Sequence, residues 1–164
     1  MKNPVSFEAF QGKLDLEPIV FSLTQREGGP CWSLEKSRFM EKWYRRFLYL
    51  TYLNPGQGIV PTKDLDIFWH THILDTQKYM DDCERLFGYY FHHFPYFGMR
   101  GEEDRKNLEH SFKKTEELYL KCFGESFRSF EIADCGALCN EPVPKNSTID
   151  LGSELRPSLA NAAF

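Results

Sequence analysis

The sequence has no long apolar run. No segment approaches the roughly 18 consecutive apolar residues of a membrane-spanning helix, and the first residues lack the apolar stretch of a signal peptide. The cysteines are odd in number and do not form the regular pattern of a disulfide framework, which favours reduced thiols. We therefore expect a cytoplasmic protein with no membrane partner.

An excess of positive charge is also missing. The formal net charge is −4, and the lysines and arginines are scattered rather than clustered. Binding to nucleic acid phosphates relies on a concentrated basic surface, so we expect no nucleic acid partner. The sequence also contains no phosphate-cradling glycine loop, no His-Glu-x-x-His zinc motif and no nucleophile elbow.

What the sequence does contain is a concentration of histidines among aromatic and acidic residues. Four of the five histidines lie within 24 positions: His70, His72, His92 and His93. Three neutral imidazoles can hold a zinc, iron or copper ion and leave one coordination position open, as catalytic sites do. The pattern predicts a metal site, provided that the imidazoles of the two segments meet in the folded chain.

The spacing of the histidines limits which of them can act together. His70 and His72 point about 200° apart on a regular helix, so sharing one ion requires a distorted turn, or else only one of them binds. Asp66 precedes His70 by one helical turn, and its carboxylate could bind the metal or fix the imidazole tautomer. Either His92 or His93 would complete the set.

Apolar periodicity predicts an all-α or mostly α single domain of about five helices. We expect a helical domain at residues 1–127 that carries the histidine cluster, followed by a polar C-terminal tail or strap at residues 128–164. An irregular aromatic segment, residues 89–97, should pack against the helices. The predicted helices lie near residues 15–28, 33–54, 63–75, 75–88 and 101–124.

Two features outside the histidine cluster could also contribute to function. Arg100 stands between glycines, and its guanidinium could hold a substrate carboxylate bidentately. The alternative for Arg100 is a salt bridge to a carboxylate in the first turn of the next helix. Cys135 and Cys139 have a spacing that can hold a metal or form a local disulfide, but no second cysteine pair completes a zinc site.

One stretch resembles a known family. It is carried by Asp-Leu-Asp-Ile-Phe-Trp-His-Thr-His-Ile-Leu at residues 64–74, then Tyr79, Asp82 and Gly-Tyr-Tyr-Phe-His-His at residues 88–93. This pattern resembles the glycine-rich domain-containing-protein-like family over about residues 55–95. The resemblance implies that His93, rather than His92, joins His70 and His72 at the family's positions. It implies no defined activity.

These observations predict a small metalloprotein. His70, His72 and His93 would bind one zinc, iron or copper ion, with Asp66 and Arg100 as catalytic residues. Asp66 would support a histidine or act as a fourth ligand, and Arg100 would orient an anionic small-molecule or peptide substrate. An open coordination position would support hydrolytic or oxidative chemistry.

Two alternatives remain open at the level of sequence. The chain could be a protein-interaction module in which the histidines are structural and the aromatic segment docks a partner or the chain's own tail. It could also perform metal-free acid–base catalysis through Asp66 and His70, which would give a bell-shaped pH–rate profile. The sequence does not determine the metal, the substrate or the oligomeric state.

Overall fold

A computed structural model of the chain describes residues 4–126. This range contains six α-helices and no β-strand, which confirms the mostly α fold. The helices are α1 (Phe7–Gln11), α2 (Glu17–Thr24), α3 (Leu34–Leu53), α4 (Lys63–Leu74), α5 (Thr76–Phe87) and α6 (Glu102–Phe123). None of these helices is long and apolar enough to cross a membrane. The predicted tail, with Cys135 and Cys139, lies outside the described residues.

Helix α3 is the centre of the packing and contacts α1, α2, α4 and α6. It begins after Ser33, as the sequence predicts, and the Ser33 hydroxyl caps it by accepting a hydrogen bond from the Lys36 amide. Apolar side chains every three or four positions give it a continuous buried stripe. Phe39 fits the same spacing but is exposed. The stripe consists of Met40, Trp43, Tyr44, Phe47, Leu48 and Thr51.

Helix α4 packs on α3 and carries the first two histidines of the cluster. The Thr62 hydroxyl caps it by accepting a hydrogen bond from the Leu65 amide at 3.3 Å. Asp66 lies in the first turn, where the helix dipole favours negative charge. The buried side chains of α4 are those of Leu65, Asp66, Phe68, Trp69 and His72.

Helix α1 is a sixth helix that apolar periodicity does not predict. It has five residues, too few for a helical repeat to show in the sequence. The Ser6 hydroxyl accepts a hydrogen bond from the Ala9 amide, and Phe10 is buried in the main core. The burial of Phe10 explains how so short a helix is held in place.

The aromatic segment packs down between two apolar clusters. Phe91 is fully buried in the main core. Phe94 enters a smaller cluster formed with α6 and the loop before α4. His93 therefore lies between two anchored phenylalanines, which limits its freedom to move. The smaller cluster consists of Val60, Phe94, Phe97, Leu108 and Phe112.

Gly98 follows the aromatic segment in a backbone conformation that favours glycine, with φ at +89°. Its amide donates a hydrogen bond to Asp104 Oδ2 at 2.7 Å. A Cβ at this position would lie 2.5 Å from Leu108 Cδ2 and 3.3 Å from Leu108 Cβ. The aromatic segment therefore ends at a point where a side chain would strain the backbone and collide with α6.

We expect Gly98→Ala to destabilise the protein more than Gly88→Ala does. Gly88 has a similar φ of +78°, but an added Cβ would meet nothing within 4 Å. The free energy of unfolding of the Gly88→Ala control should fall by about 1 to 2 kcal/mol, because alanine is strained in the left-handed backbone conformation. That of Gly98→Ala should fall by about 1 to 3 kcal/mol more, because its Cβ also collides with Leu108. Urea denaturation measures both, and equal losses would contradict the steric argument.

Candidate metal centre

Asp66, His70 and His93 bring ligand atoms to a common point. Asp66 and His70 are four residues apart on α4 and share one face, while His93 comes from the aromatic segment. His93 Nε2 lies 3.0 Å from His70 Nε2 and 3.0 Å from Asp66 Oδ1. His70 Nε2 lies 3.4 Å from Asp66 Oδ2. The imidazoles of two separate segments thus meet, as the sequence hypothesis requires.

These separations fit the ligands of a shared metal ion, with one oxygen of Asp66 facing each histidine. With metal–nitrogen bonds of about 2.0–2.1 Å, neighbouring ligands of a tetrahedral zinc lie about 3.3 Å apart. The three contacts, 3.0, 3.0 and 3.4 Å, lie on either side of that value. Two imidazoles and one carboxylate also form the ligand set of many zinc hydrolases and non-haem iron oxygenases. A group of this composition and size can hold a metal ion.

Hydrogen bonds alone satisfy the contacts among these three side chains poorly. A neutral imidazole has one N–H and one nitrogen lone pair. If the N–H of His93 is at Nε2, it can point at Asp66 or at His70, but not well at both. If His70 also carries its proton on Nε2, two N–H groups face each other. A cation at the centre would instead use a lone pair from every member of the group.

The group lies at the protein surface. The side chains of Asp66 and His93 are 9% and 8% exposed, whereas that of His70 is 46% exposed. Burial lowers the pKa of His70 below its ordinary value, against the attraction of Asp66, and the electrostatic influence of His93 lowers this pKa further. The neutral imidazole, which is the form that binds metals, is therefore favoured at His70 near neutral pH.

His72, which the sequence predicts as a ligand, lies apart from this group. Its ring turns into the core and is 1% exposed. Its Nδ1 lies 2.9 Å from the Tyr44 hydroxyl, and its Nε2 lies 3.0 Å from Asp82 Oδ2. Both ring nitrogens are thus engaged away from His70, because residues two apart on a helix point in nearly opposite directions. The candidate ligands are Asp66, His70 and His93 rather than three histidines.

Cations balance the buried Asp82 carboxylate. Lys78 Nζ lies 2.8 Å and Arg85 Nη1 3.3 Å from its oxygens. Burial alone would raise the pKa of Asp82, but hydrogen bonds from His72 and Lys78 hold it below its usual value. The carboxylate is therefore charged at neutral pH, and together with His72 and Tyr44 it joins α3, α4 and α5.

Sequence reasoning missed Tyr44 and Asp82 as the partners of His72. They lie 28 and 10 residues away and on other helices, so no helical repeat connects them to His72. One signal was present for Asp82, which shares the buried face of α5 with Tyr79, Cys83 and Leu86. An aspartate on an apolar face needs a buried partner, and a histidine can serve as one.

The structure also places Arg100 and His92. Arg100 donates from Nη2 and Nε to Asp104, at 2.7 and 3.2 Å, and its guanidinium lies over the Phe94 ring. This is the salt bridge to a first-turn carboxylate that the sequence offered as the alternative, and a catalytic role for Arg100 stays a prediction. His92 is exposed, and its ring packs on Tyr90.

Fold and site together define a helical protein with an Asp/His/His group suited to a metal ion. The chain belongs to the UCP032817-like family, whose model matches residues 20–130. It is also similar to glycine-rich domain-containing proteins 1 and 2 of Arabidopsis thaliana, at 35% and 32% identity over 88 residues. These matches confirm the resemblance to glycine-rich domain-containing proteins.

The two Arabidopsis matches each cover 51% of this chain, but only 10% and 11% of the relatives. The chain thus spans about a tenth of the length of the curated relatives it matches. No solved structure matches the chain. The geometry of the Asp/His/His group is therefore the main guide to function.

We expect Asp82→Asn to lower the free energy of unfolding by about 3 kcal/mol at pH 7, because His72 and Lys78 lose a buried charged partner. The pKa of Asp82 is depressed in the folded state, so its stabilising effect is complete above the unfolded value near 3.8. This effect is lost as the pH falls through the lower folded value. The difference in the free energy of unfolding between the wild type and Asp82→Asn should therefore be smaller at pH 3 than at pH 7.

The matched control for this prediction is Asp81→Asn, which makes the same chemical change at the exposed neighbouring position. It should stay within about 0.5 kcal/mol of the wild type. Urea denaturation at pH 7 and pH 3 measures all three proteins. Equal stability of Asp82→Asn and the wild type at pH 7 would contradict the account of the His72 network.

Proposed function

We propose that the chain is a metalloprotein in which Asp66, His70 and His93 bind one divalent transition-metal ion. The observation that carries the proposal is the set of 3.0 to 3.4 Å contacts among ligand atoms from two separate segments. The names of the similar proteins state no activity. The proposal therefore rests on the chemistry of the residues themselves.

The donor atoms narrow the choice of metal. Imidazole nitrogen suits zinc, iron and copper in their divalent states, and a single carboxylate suits the same ions. Soft thiolate ligands are not offered by the nearest helix, because Cys83 is buried in the core. Burial raises the pKa of the Cys83 thiol to about 11, so the thiol stays protonated. Zinc, iron and copper are thus the metals we propose.

The arrangement suits a reaction at the surface. A metal with three protein ligands and an open position can activate water for hydrolysis or bind an oxidant for oxidative chemistry. The carboxylate of Asp66 would offset one of the ion's two positive charges. His70 is about half-exposed, so a small molecule or a peptide could approach the site from that side.

The aromatic segment gives the interaction-module alternative less support. Its three phenylalanines, Phe91, Phe94 and Phe97, are buried and serve as anchors. Of its other side chains, Tyr90, His92 and Pro95 are the exposed ones. A docking surface would have to rely mainly on these three residues. Metal-free acid–base catalysis would use the Asp66–His70 contact and would leave His93 without a chemical role.

Elemental analysis of protein purified without an affinity tag tests the proposal. We expect close to one zinc, iron or copper per chain, and a melting temperature that rises when that metal is added. His70→Ala and His93→Ala should each weaken zinc binding by at least about 100-fold, since a lost ligand should cost no less than a lost supporting contact. A competition titration against a chromophoric chelator measures the affinity.

The matched control is His92→Ala, which removes an imidazole from the position next to His93. His92 is exposed and packs on Tyr90, so zinc affinity should stay at the wild-type value. The proposal would be overturned if the protein is metal-free and its melting temperature does not change when zinc, iron or copper is added. Metal retained by the His70→Ala, His93→Ala double variant would also overturn it, because the ion would then be bound elsewhere.

A further inference from the structure

We infer that Tyr79 is a positioning residue for this metal centre, because its hydroxyl fixes the backbone that carries His93 against the helix that carries His70. The inference rests on the proposed function, since it concerns how the geometry of that site is maintained. Tyr79 belongs to α5, which contributes none of the candidate ligands. Its influence would be exerted through two other residues, Trp69 and Phe91.

The Tyr79 hydroxyl makes two short hydrogen bonds inside the core. It accepts one from Trp69 Nε1 at 2.8 Å and donates one to the Phe91 carbonyl oxygen at 2.6 Å. All three residues are at most 1% exposed, so water does not compete for these bonds. Removing a buried hydroxyl leaves both partners unsatisfied, which strongly favours rearrangement of the groups around it.

These two bonds connect the segments that supply the ligands. Trp69 immediately precedes His70 on α4, and Phe91 lies two residues before His93. The Trp69 ring also stacks on Phe91 at 4.8 Å and meets the His93 ring edge-on at 4.6 Å. One hydroxyl therefore sets the distance between α4 and the backbone of the aromatic segment.

The aromatic segment needs such a link because it has no helix or strand of its own. Its backbone carbonyls must find partners elsewhere, and that of Phe91 finds Tyr79. Ligands of a metal site have to stay within about 0.5 Å of their productive positions. A shift at Phe91 would reach His93 two residues later, and contacts that orient ligands are typically worth about 10–100-fold in metal affinity.

Tyr44 provides a matched control in the same core. It is as buried as Tyr79, and its hydroxyl also makes a buried hydrogen bond, 2.9 Å to His72 Nδ1. Tyr44→Phe and Tyr79→Phe each delete one buried oxygen from a tyrosine. Because His72 lies outside the candidate ligand set, a merely structural role would make the two variants alike in metal affinity.

Titration of the full chain with Zn²⁺ and Co²⁺ tests the inference, with melting temperatures measured without metal for each variant. We expect Tyr79→Phe to raise the Kd for both ions by about 10–100-fold. Tyr44→Phe should lower the melting temperature but leave Kd unchanged. In a His93→Ala background, Tyr79→Phe should have no further effect on Kd, because the residue it positions is absent.

The inference fails if the two tyrosine variants have the same Kd, or if Tyr79→Phe weakens binding as much in the His93→Ala background as in the wild type. In both cases the site itself would stand. A wild-type chain that binds neither Zn²⁺ nor Co²⁺, and that is purified without iron or copper, would instead overturn the proposed function. If Tyr79→Phe does not fold, Trp69→Phe is measured in its place, and Trp43→Phe is its control. The Kd values of these two variants are then compared by the same criteria.

Discussion

The site depends on the 100° step between successive residues of α4. Asp66 and His70 lie one turn apart and meet His93, whereas Trp69 and His72 are buried against the neighbouring helices. Rotating α4 about its axis would move both faces together, because the angles between its side chains are fixed. The packing of Trp69 and His72 therefore fixes the direction in which His70 points, and the core determines the geometry of the surface group.

The two histidines of α4 differ in what surrounds their nitrogens. Each nitrogen of His72 faces one partner, a hydroxyl or a carboxylate, so one tautomer of the neutral ring satisfies both contacts. His70 Nε2 faces another imidazole nitrogen and a carboxylate oxygen, and so does His93 Nε2. One shared cation would satisfy all the nitrogen and oxygen atoms that converge in this way. The same residue type thus serves packing at one position and offers a binding site two residues earlier.

The site also depends on the contacts that hold the aromatic segment against the helices. His93 can meet α4 only because the chain on either side of it is anchored, by Phe91 in the main core and by Phe94 in the smaller cluster. The Tyr79 hydroxyl adds a directional contact that apolar packing alone does not provide. The combination explains how a segment without regular secondary structure can present one side chain in a defined place.

Local features were predictable from the sequence because their causes are local. The caps at Ser33 and Thr62 and the left-handed helix ends at Gly88 and Gly124 follow from neighbouring residues. Periodicity left His92 and His93 equivalent, whereas the family resemblance implied His93, the histidine that meets His70.

Contacts between distant residues were not predictable in the same way. The environment of His72 depends on side chains from α3 and α5, and no spacing rule joins residues on different helices. Apolar periodicity places His72 on the buried face of α4, but it does not identify the side chains that its nitrogens meet. Helix α1 is too short to give a periodic signal.

X-ray absorption spectroscopy of the zinc-loaded chain reports the atoms bound to the ion and therefore tests the proposed ligands most directly. If Asp66, His70 and His93 bind the ion, the spectrum should show two imidazole nitrogens and one carboxylate oxygen at about 2.0–2.2 Å, with solvent oxygen completing the shell. Three imidazoles, a sulfur ligand or a shell of oxygen atoms alone would contradict this assignment, because none of these can be formed by Asp66, His70 and His93.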